Sequence, residues 1–173
     1  MKKALIVIDF QNDFVSGSLG FENASLLDTR IHNRIEEAIQ RHEDLYFTFD
    51  THESNYLETY EGKNLPVEHC LRGSFGHQLF GTVANFLDKA NKVFYKPTFP
   101  SLELANYLST HPYDEVELCG LVSNICVISN AVMVKSALPN ARIIVNHELT
   151  DSYDSNLNNL SLEVMKGMQI EVI

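Results

Sequence analysis

The sequence has no tryptophan and only three cysteines, Cys70, Cys119 and Cys126. So small and odd a number does not make a paired disulfide framework. Free thiols and a reducing compartment are expected, with the cytoplasm as the default. Positive charge is scarce too: 13 Lys and Arg face 23 Asp and Glu, a net charge of -10. That balance lacks the basic footprint of a nucleic-acid binder and argues against an anionic membrane surface as partner. Long apolar runs are missing, so no segment can span a bilayer. The short run after Met1-Lys2-Lys3 breaks at Asp9 and Gln11-Asn12-Asp13, which leaves no room for the apolar core of a signal peptide. Repeats and low-complexity tracts are absent as well.

What is present is a globular composition, 45% hydrophobic over 173 residues. This length suits a single domain, spanning 1–173, that buries roughly 70% of the surface its unfolded chain exposes. Two kinds of segment alternate. Short apolar, β-rich runs fall at 4–10, 45–49, 92–95, 116–121, 141–145 and 169–173. Between them, Leu27, Ile31, Ile35, Ala38 and Ile39 form a helical stripe, with Ser25 and Asp28 as its expected capping box. Further helices are expected at 77–89, 101–109, 124–137 and 155–168. Six strands with crossovers of this kind predict an α/β three-layer sandwich, a parallel sheet with helices on both faces. The connection at 51–75 stands out as long, polar and rich in His and Glu, as functional loops are.

In such a sheet, ligands bind beyond the carboxyl ends of the strands. Asp9 ends the first strand, Asp50 the second and Lys96 the third, while Cys126 follows the fourth where a helix begins. Asp9, Lys96 and Cys126 each have a plain structural reading: a turn former or helix cap, a solvated strand end, a packed thiol. Together they place an acid, a base and a thiol at one rim, provided the strand order brings them into contact. A thiol in the first turn of a helix is expected to have a lowered pKa, and free N–H groups there can hold an oxyanion. Asp9 would then take the thiol proton, Cys126 would attack an amide carbonyl, and Lys96 would favour the charged partners. Cys119 is read as buried and inert, Cys70 as structural. A second cluster, Asp50, His52 and His69 with Glu61 as a further ligand, has the donor types for Zn²⁺, Mn²⁺ or Fe²⁺. The alternative there is simple loop hydrogen bonding.

Four stretches, ALIVIDFQNDF with GSL after it, DTH, LPVEHCLRGSFG, and YKPTFPS followed by GLVSNICV, together resemble the isochorismatase-like cysteine hydrolases and, within them, the nicotinamidase branch. The resemblance implies a six-stranded parallel sheet and an Asp-Lys-Cys triad falling on Asp9, Lys96 and Cys126. It implies a cis peptide at Leu121-Val122, with an oxyanion hole from the N–H groups of Val122 and Cys126. It also implies a divalent metal, foremost Zn²⁺, on Asp50, His52, His69 and in some members Glu61, with no organic cofactor. Phe14 and Ile125 are the implied substrate contacts, and self-association into homo-oligomers is common in the family. Two positions depart from the branch: Thr51 stands where an aromatic is common inside D-x-H, and Ile125 where an aromatic or His often precedes the nucleophile. The implied reaction is hydrolysis of a small carboxamide, nicotinamide to nicotinate. The alternatives are a related hydrolase of an N-carbamoyl compound or another amide, and a non-catalytic binding or oligomerisation relative.

Overall fold

The computed structural model describes all residues, Met1–Ile173. Its strands are β1 Lys3–Ile8, β2 Asp44–Asp50, β3 Lys92–Lys96, β4 Glu115–Leu121, β5 Arg142–Asp151 and β6 Glu171–Val172. Its α-helices are α1 Asn12–Val15, α2 Leu27–Gln40, α3 Tyr60–Asn64, α4 Leu102–Thr110, α5 Ile128–Ala137 and α6 Ser155–Gly167. All strand pairs are parallel, in the order β3-β2-β1-β4-β5-β6. The chain therefore builds outward from β1 on one side and then from β4 on the other. The reversal between β1 and β4 is the switch point where ligands sit in open α/β sheets.

The alternation of side chains along each strand divides the core in two. Ala4, Ile6 and Ile8 pack with Leu104, Val134 and Met165 from α4, α5 and α6. Leu5 and Val7 face the other way, onto Leu27, Ile31, Ile35 and Ala38 of α2. Strands apolar on both faces and covered on both faces make the expected three layers. No helix is long and apolar enough to cross a membrane.

Several local expectations are corrected. Ile39 lies at the edge of the α2 stripe and is exposed. The Ser25–Asp28 capping box does not form. Ser25 sits in a 3-10 turn, Ala24–Leu26, and no side chain caps α2. Asp28 instead accepts hydrogen bonds from Thr82 N (3.0 Å), Thr82 Oγ1 (2.8 Å) and Val83 N (3.1 Å). It thereby starts the segment that sequence reading made an α-helix at 77–89. That segment is a 3-10 stretch, Gly81–Lys89, entered through a positive φ of 56° at Gly81. The expected helix at 124–137 divides into a π-turn, Ser123–Val127, and α5. Strand β5 runs six residues past Val145. The polar Asn146-His147-Glu148 interrupts its apolar pattern, but a register shift opposite Leu118–Gly120 lets pairing resume at Thr150 and Asp151.

Candidate active site and metal centre

Four strand ends deliver the expected residues to one rim. Asp9 follows β1 in a left-handed conformation, φ 45°, which few non-glycine residues adopt and which local bonds must hold. Gln11 N–H closes onto the Asp9 carbonyl at 2.8 Å, and Thr48 Oγ1 donates to Asp9 Oδ1 at 2.6 Å. Beside Asp9, β4 comes so close that any Cβ on Gly120 would lie 2.0 Å from the Ile8 carbonyl oxygen. Only glycine, at φ 108°, fits there. The Leu121-Val122 peptide that follows is cis. It leads into the π-turn, where Ile125 and Val127 both donate to the Val122 carbonyl.

Lys96 is the hub. Its Nζ lies 2.6 Å from Asp9 Oδ2, 3.4 Å from Asp50 Oδ1, 3.7 Å from Cys126 Sγ and 3.1 Å from the Thr98 carbonyl oxygen. Asp9, Lys96 and Cys126 are all buried. The spatial convergence that sequence could only assume is therefore present. Asp9 and Cys126 meet across the ammonium. Asp9 Oδ2 is ion-paired with Lys96 but lacks a well-angled hydrogen bond, so a buried acceptor lone pair remains open.

The electrostatics correct the expected thiol. Burial pushes the Cys126 thiol well above its ordinary range; Lys96 opposes this, and Asp9 and Asp50 add to it. Complete desolvation of a group beside two carboxylates outweighs the positive end of a helix. Burial likewise raises Asp9, against the pull of Lys96. Lys96 itself stays protonated: burial works against its charge, but the Asp9 and Asp50 carboxylates outweigh it. The resting site thus holds a neutral thiol next to a carboxyl of raised basicity, a pair suited to exchange a proton.

The second expected cluster is assembled too. Asp50 Oδ2 lies 3.1 Å from His52 Nε2 and 3.3 Å from His69 Nε2, and Glu61 Oε1 lies 3.5 and 3.7 Å from the same nitrogens. The four donor atoms fall within 4.8 Å of one another. Bonds of about 2.0–2.2 Å to a tetrahedral metal set donor–donor edges of about 3.3–3.6 Å, which the four carboxylate–imidazole separations bracket. His69 Nδ1 is spent on the Val67 carbonyl at 2.8 Å, fixing the tautomer that leaves Nε2 for a cation. Two imidazoles and two carboxylates, largely buried, therefore fit a divalent ion. Burial acts to raise Asp50, yet Lys96, His52 and His69 hold it well below the usual carboxylate range. Glu61 is raised, by burial first and then by Asp50.

Sequence reasoning missed several supporting residues. Gln11, fully buried, accepts from Asp50 N at 2.8 Å and donates to Asp50 O at 2.9 Å, gripping the Asp50 backbone on both sides. Asp13 Oδ2 accepts from Cys70 N at 2.7 Å and so anchors the turn that bears His69. The Tyr56 ring packs on both His52 and His69. The one available signal was Gln11-Asn12-Asp13, a polar run placed directly after a buried strand.

Two clefts open here. One, about 470 Å³, is lined by Phe14, Leu19, Leu65, Val122, Ile125 and Tyr153. The other, about 540 Å³, meets the metal cluster through His52 and Glu61 and shares Leu65. Phe14 and Ile125, the expected substrate contacts, both line the first. Thr51 lines neither, since its hydroxyl is spent on the Phe49 carbonyl and on His77.

A family model described as the isochorismatase domain matches residues 3–173, nearly the whole chain. The chain belongs to the isochorismatase family. Among its relatives is a nicotinamidase/pyrazinamidase of Mycobacterium tuberculosis, 26% identical over 99% of this chain and 98% of that one. The crystal structure of nicotinamidase PncA from Bacillus subtilis superposes with a TM-score of 0.86, at 26% identity and 99% coverage of both chains. The pyrazinamidase of Pyrococcus horikoshii, solved in complex with zinc, shares the fold at a TM-score of 0.87 and 20% identity, over 100% of this chain and 99% of that one.

Proposed function

We propose that this family member is a cysteine amidohydrolase that converts nicotinamide to nicotinate and ammonia. The supporting observation is the buried Lys96 ammonium lying 2.6 Å from Asp9 and 3.7 Å from Cys126, beside a cleft of small-ligand size. Full-length relatives that act on this amide and on pyrazinamide support the substrate.

In the proposed sequence of steps, Asp9 accepts the Cys126 thiol proton as the substrate displaces water. The sulfur attacks the carboxamide carbon, a C–S bond forms, and charge gathers on the former carbonyl oxygen. The N–H groups of Val122 and Cys126 are assigned to that oxygen. Asp9 returns the proton to the amine, the C–N bond breaks and ammonia leaves. Water then attacks the thioester, again losing its proton to Asp9, and the acid departs as the thiol re-forms. Lys96 keeps its charge throughout and offsets each negative intermediate. Asp50, His52, His69 and Glu61 would hold a divalent cation, Zn²⁺ first among those to test. When bound, it would supply a Lewis-acidic contact for a ring nitrogen. Phe14 and Ile125 are assigned to the walls around the ring.

A second reading, hydrolysis of a different small carboxamide or an N-carbamoyl compound, is favoured by the aliphatic character of Leu65 and Ile125 in the cleft wall. The test is ammonia release from nicotinamide, and from a panel of small amides, by metal-loaded protein. Turnover of nicotinamide that vanishes in Cys126→Ala is expected. Turnover persisting in that variant would refute the mechanism, and turnover of another amide alone would replace the substrate.

A further inference from the structure

An asparagine inside an apolar helix needs a reason. Asparagine is a poor helix former, and burying its amide is costly unless its polar atoms are bonded. Asn130 lies in the first turn of α5, fully buried, in the sequence ISNAVMVKSA. Its side chain makes three hydrogen bonds. Nδ2 donates to the Cys126 carbonyl at 2.8 Å and to the Phe99 carbonyl at 3.1 Å, and Oδ1 accepts from Ser101 N at 2.9 Å. Both amide hydrogens are used, and none of the bonds goes to solvent.

These partners belong to the two arms that meet at the site. Cys126 bears the thiol. Pro97-Thr98-Phe99-Pro100-Ser101 is the segment that carries the chain away from Lys96, and its Thr98 carbonyl accepts from Lys96 Nζ at 3.1 Å. Every hydrogen bond tying 97–101 to an element other than its own helix comes from Lys96 or from Asn130. Prolines 97 and 100 have no N–H to offer, so the segment has few other means of attachment. Lys96 ends β3 and Cys126 lies in the turn that follows β4, with β2 and β1 between those strands. The sheet ladder therefore does not set their separation directly.

We propose that Asn130 is a positioning residue, a strut that sets the distance between the Cys126 sulfur and the Lys96 ammonium by clamping the nucleophile's turn to the 97–101 segment. The inference rests on Cys126 being the nucleophile. It extends that reading by naming a group that touches neither substrate nor metal ligand, yet fixes the geometry of the reaction centre.

Two variants test it. Asn130→Asp keeps the acceptor for Ser101 N but turns the two-bond donor into an acceptor facing two carbonyls. Asn130→Ala removes the strut outright. For each, kcat and KM on nicotinamide, bound metal and the folded fraction are measured on full-length, metal-loaded protein. The expected result is a fall in kcat of about 10- to 100-fold, with KM and metal content within about twofold of the parent, since displacing a reacting group by about an ångström has effects of that size. Asn130→Ser, which can restore one bond to the Cys126 carbonyl, should recover part of the loss. A folded Asn130→Ala protein with parental kcat would overturn the proposal. So would a loss of kcat that only tracks lost metal or lost folded protein, or failure of both variants to fold, because Asn130 would then serve the fold alone. Cys126→Ala separates the two readings. If it is inactive while the Asn130 variants are normal, only the strut fails; if it is active, the nucleophile assignment fails with it.

Discussion

Replacing Lys96 with methionine isolates the electrostatics on which the site depends. Methionine keeps the length of the aliphatic stem and removes the charge. The ammonium is the only cation within 2.6 Å of Asp9, which has no solvent exposure. Breaking a buried pair on one side costs about 3–5 kcal/mol when the other charge must stay ionised. For a protein of this length each kcal/mol shifts Tm by about 2–4 °C, so a fall of about 6–20 °C is expected at pH 8. The pH dependence has a definite sign. Asp9 already sits above its ordinary pKa through burial, and Lys96 is the main influence holding it down. Without that influence its folded-state pKa rises further. A carboxyl whose pKa is raised on folding contributes stability below its unfolded value and loses that contribution as pH rises through the folded one. The variant should therefore recover part of its deficit as pH falls from 8 to 5, where the carboxyl takes up a proton and the buried charge disappears. The assay is thermal unfolding followed by circular dichroism, parent against variant, at both pH values and with chelator present so that metal loading does not enter. A Tm loss below about 2 °C, or a gap that stays constant or widens on acidification, would refute the account of Lys96 as the counterion of a buried Asp9.

Two further outcomes follow from the same geometry. His69→Ala should lose most of its bound zinc, and saturating zinc, about 100-fold above its Kd, should stabilise the parent by about 2.7 kcal/mol but leave this variant's melting curve almost unmoved; elemental analysis with thermal melts decides, and stoichiometric metal retained without the imidazole would sink the assignment. In the substrate-free protein, alkylation of Cys126 followed on its own peptide should be slow at neutral pH and still rising above about pH 8.5, the ordinary thiol value, because burial raises this thiol; a fast, pH-independent reaction between pH 6 and 8 would show a resting thiolate instead.

The parts of the site that sequence disclosed share one property: each reactive residue interrupts or ends an apolar strand. Asp9 and Asp50 each close a buried run and Lys96 ends the edge strand β3, and a polar residue at a strand end is visible where the hydrophobic pattern before it is strong. The contacts among them are not visible in that way. Asp9 and Lys96 meet because β2 lies between β1 and β3, and Cys126 joins them because β4 returns to the other side of β1. That order is fixed by pairing between strands far apart in sequence, and no local pattern encodes it. The thiol's basicity was misjudged for a related reason. The sequence shows a cysteine at a helix start, where a dipole lowers a pKa. It does not show that complete burial and two neighbouring carboxylates act in the opposite direction and prevail.

The supporting residues were hidden more thoroughly, and for a physical reason. Gln11, Asp13, Asp28 and Asn130 act through side-chain bonds to backbone atoms of distant segments: Asp50, Cys70, Thr82 and Val83, and Cys126, Phe99 and Ser101. A backbone carbonyl or amide is the same at every non-proline position, so its bonding partner leaves no trace in the identity of the residue it binds. What does leave a trace is the misfit of the donor. A glutamine beside a buried strand, or an asparagine within an apolar helix, contradicts the local pattern and is retained because a distant backbone needs it. Asp28 shows how a polar residue that suits its own element can mislead: placed three residues after Ser25, in the first turn of α2, it reads as half of a capping box, while its carboxylate holds the start of the Gly81–Lys89 segment. Polar residues that disagree with their own element are thus the places where a sequence points beyond itself, and in this chain Gln11 leads to Asp50 and Asn130 to Cys126, both at the rim where Lys96 sits.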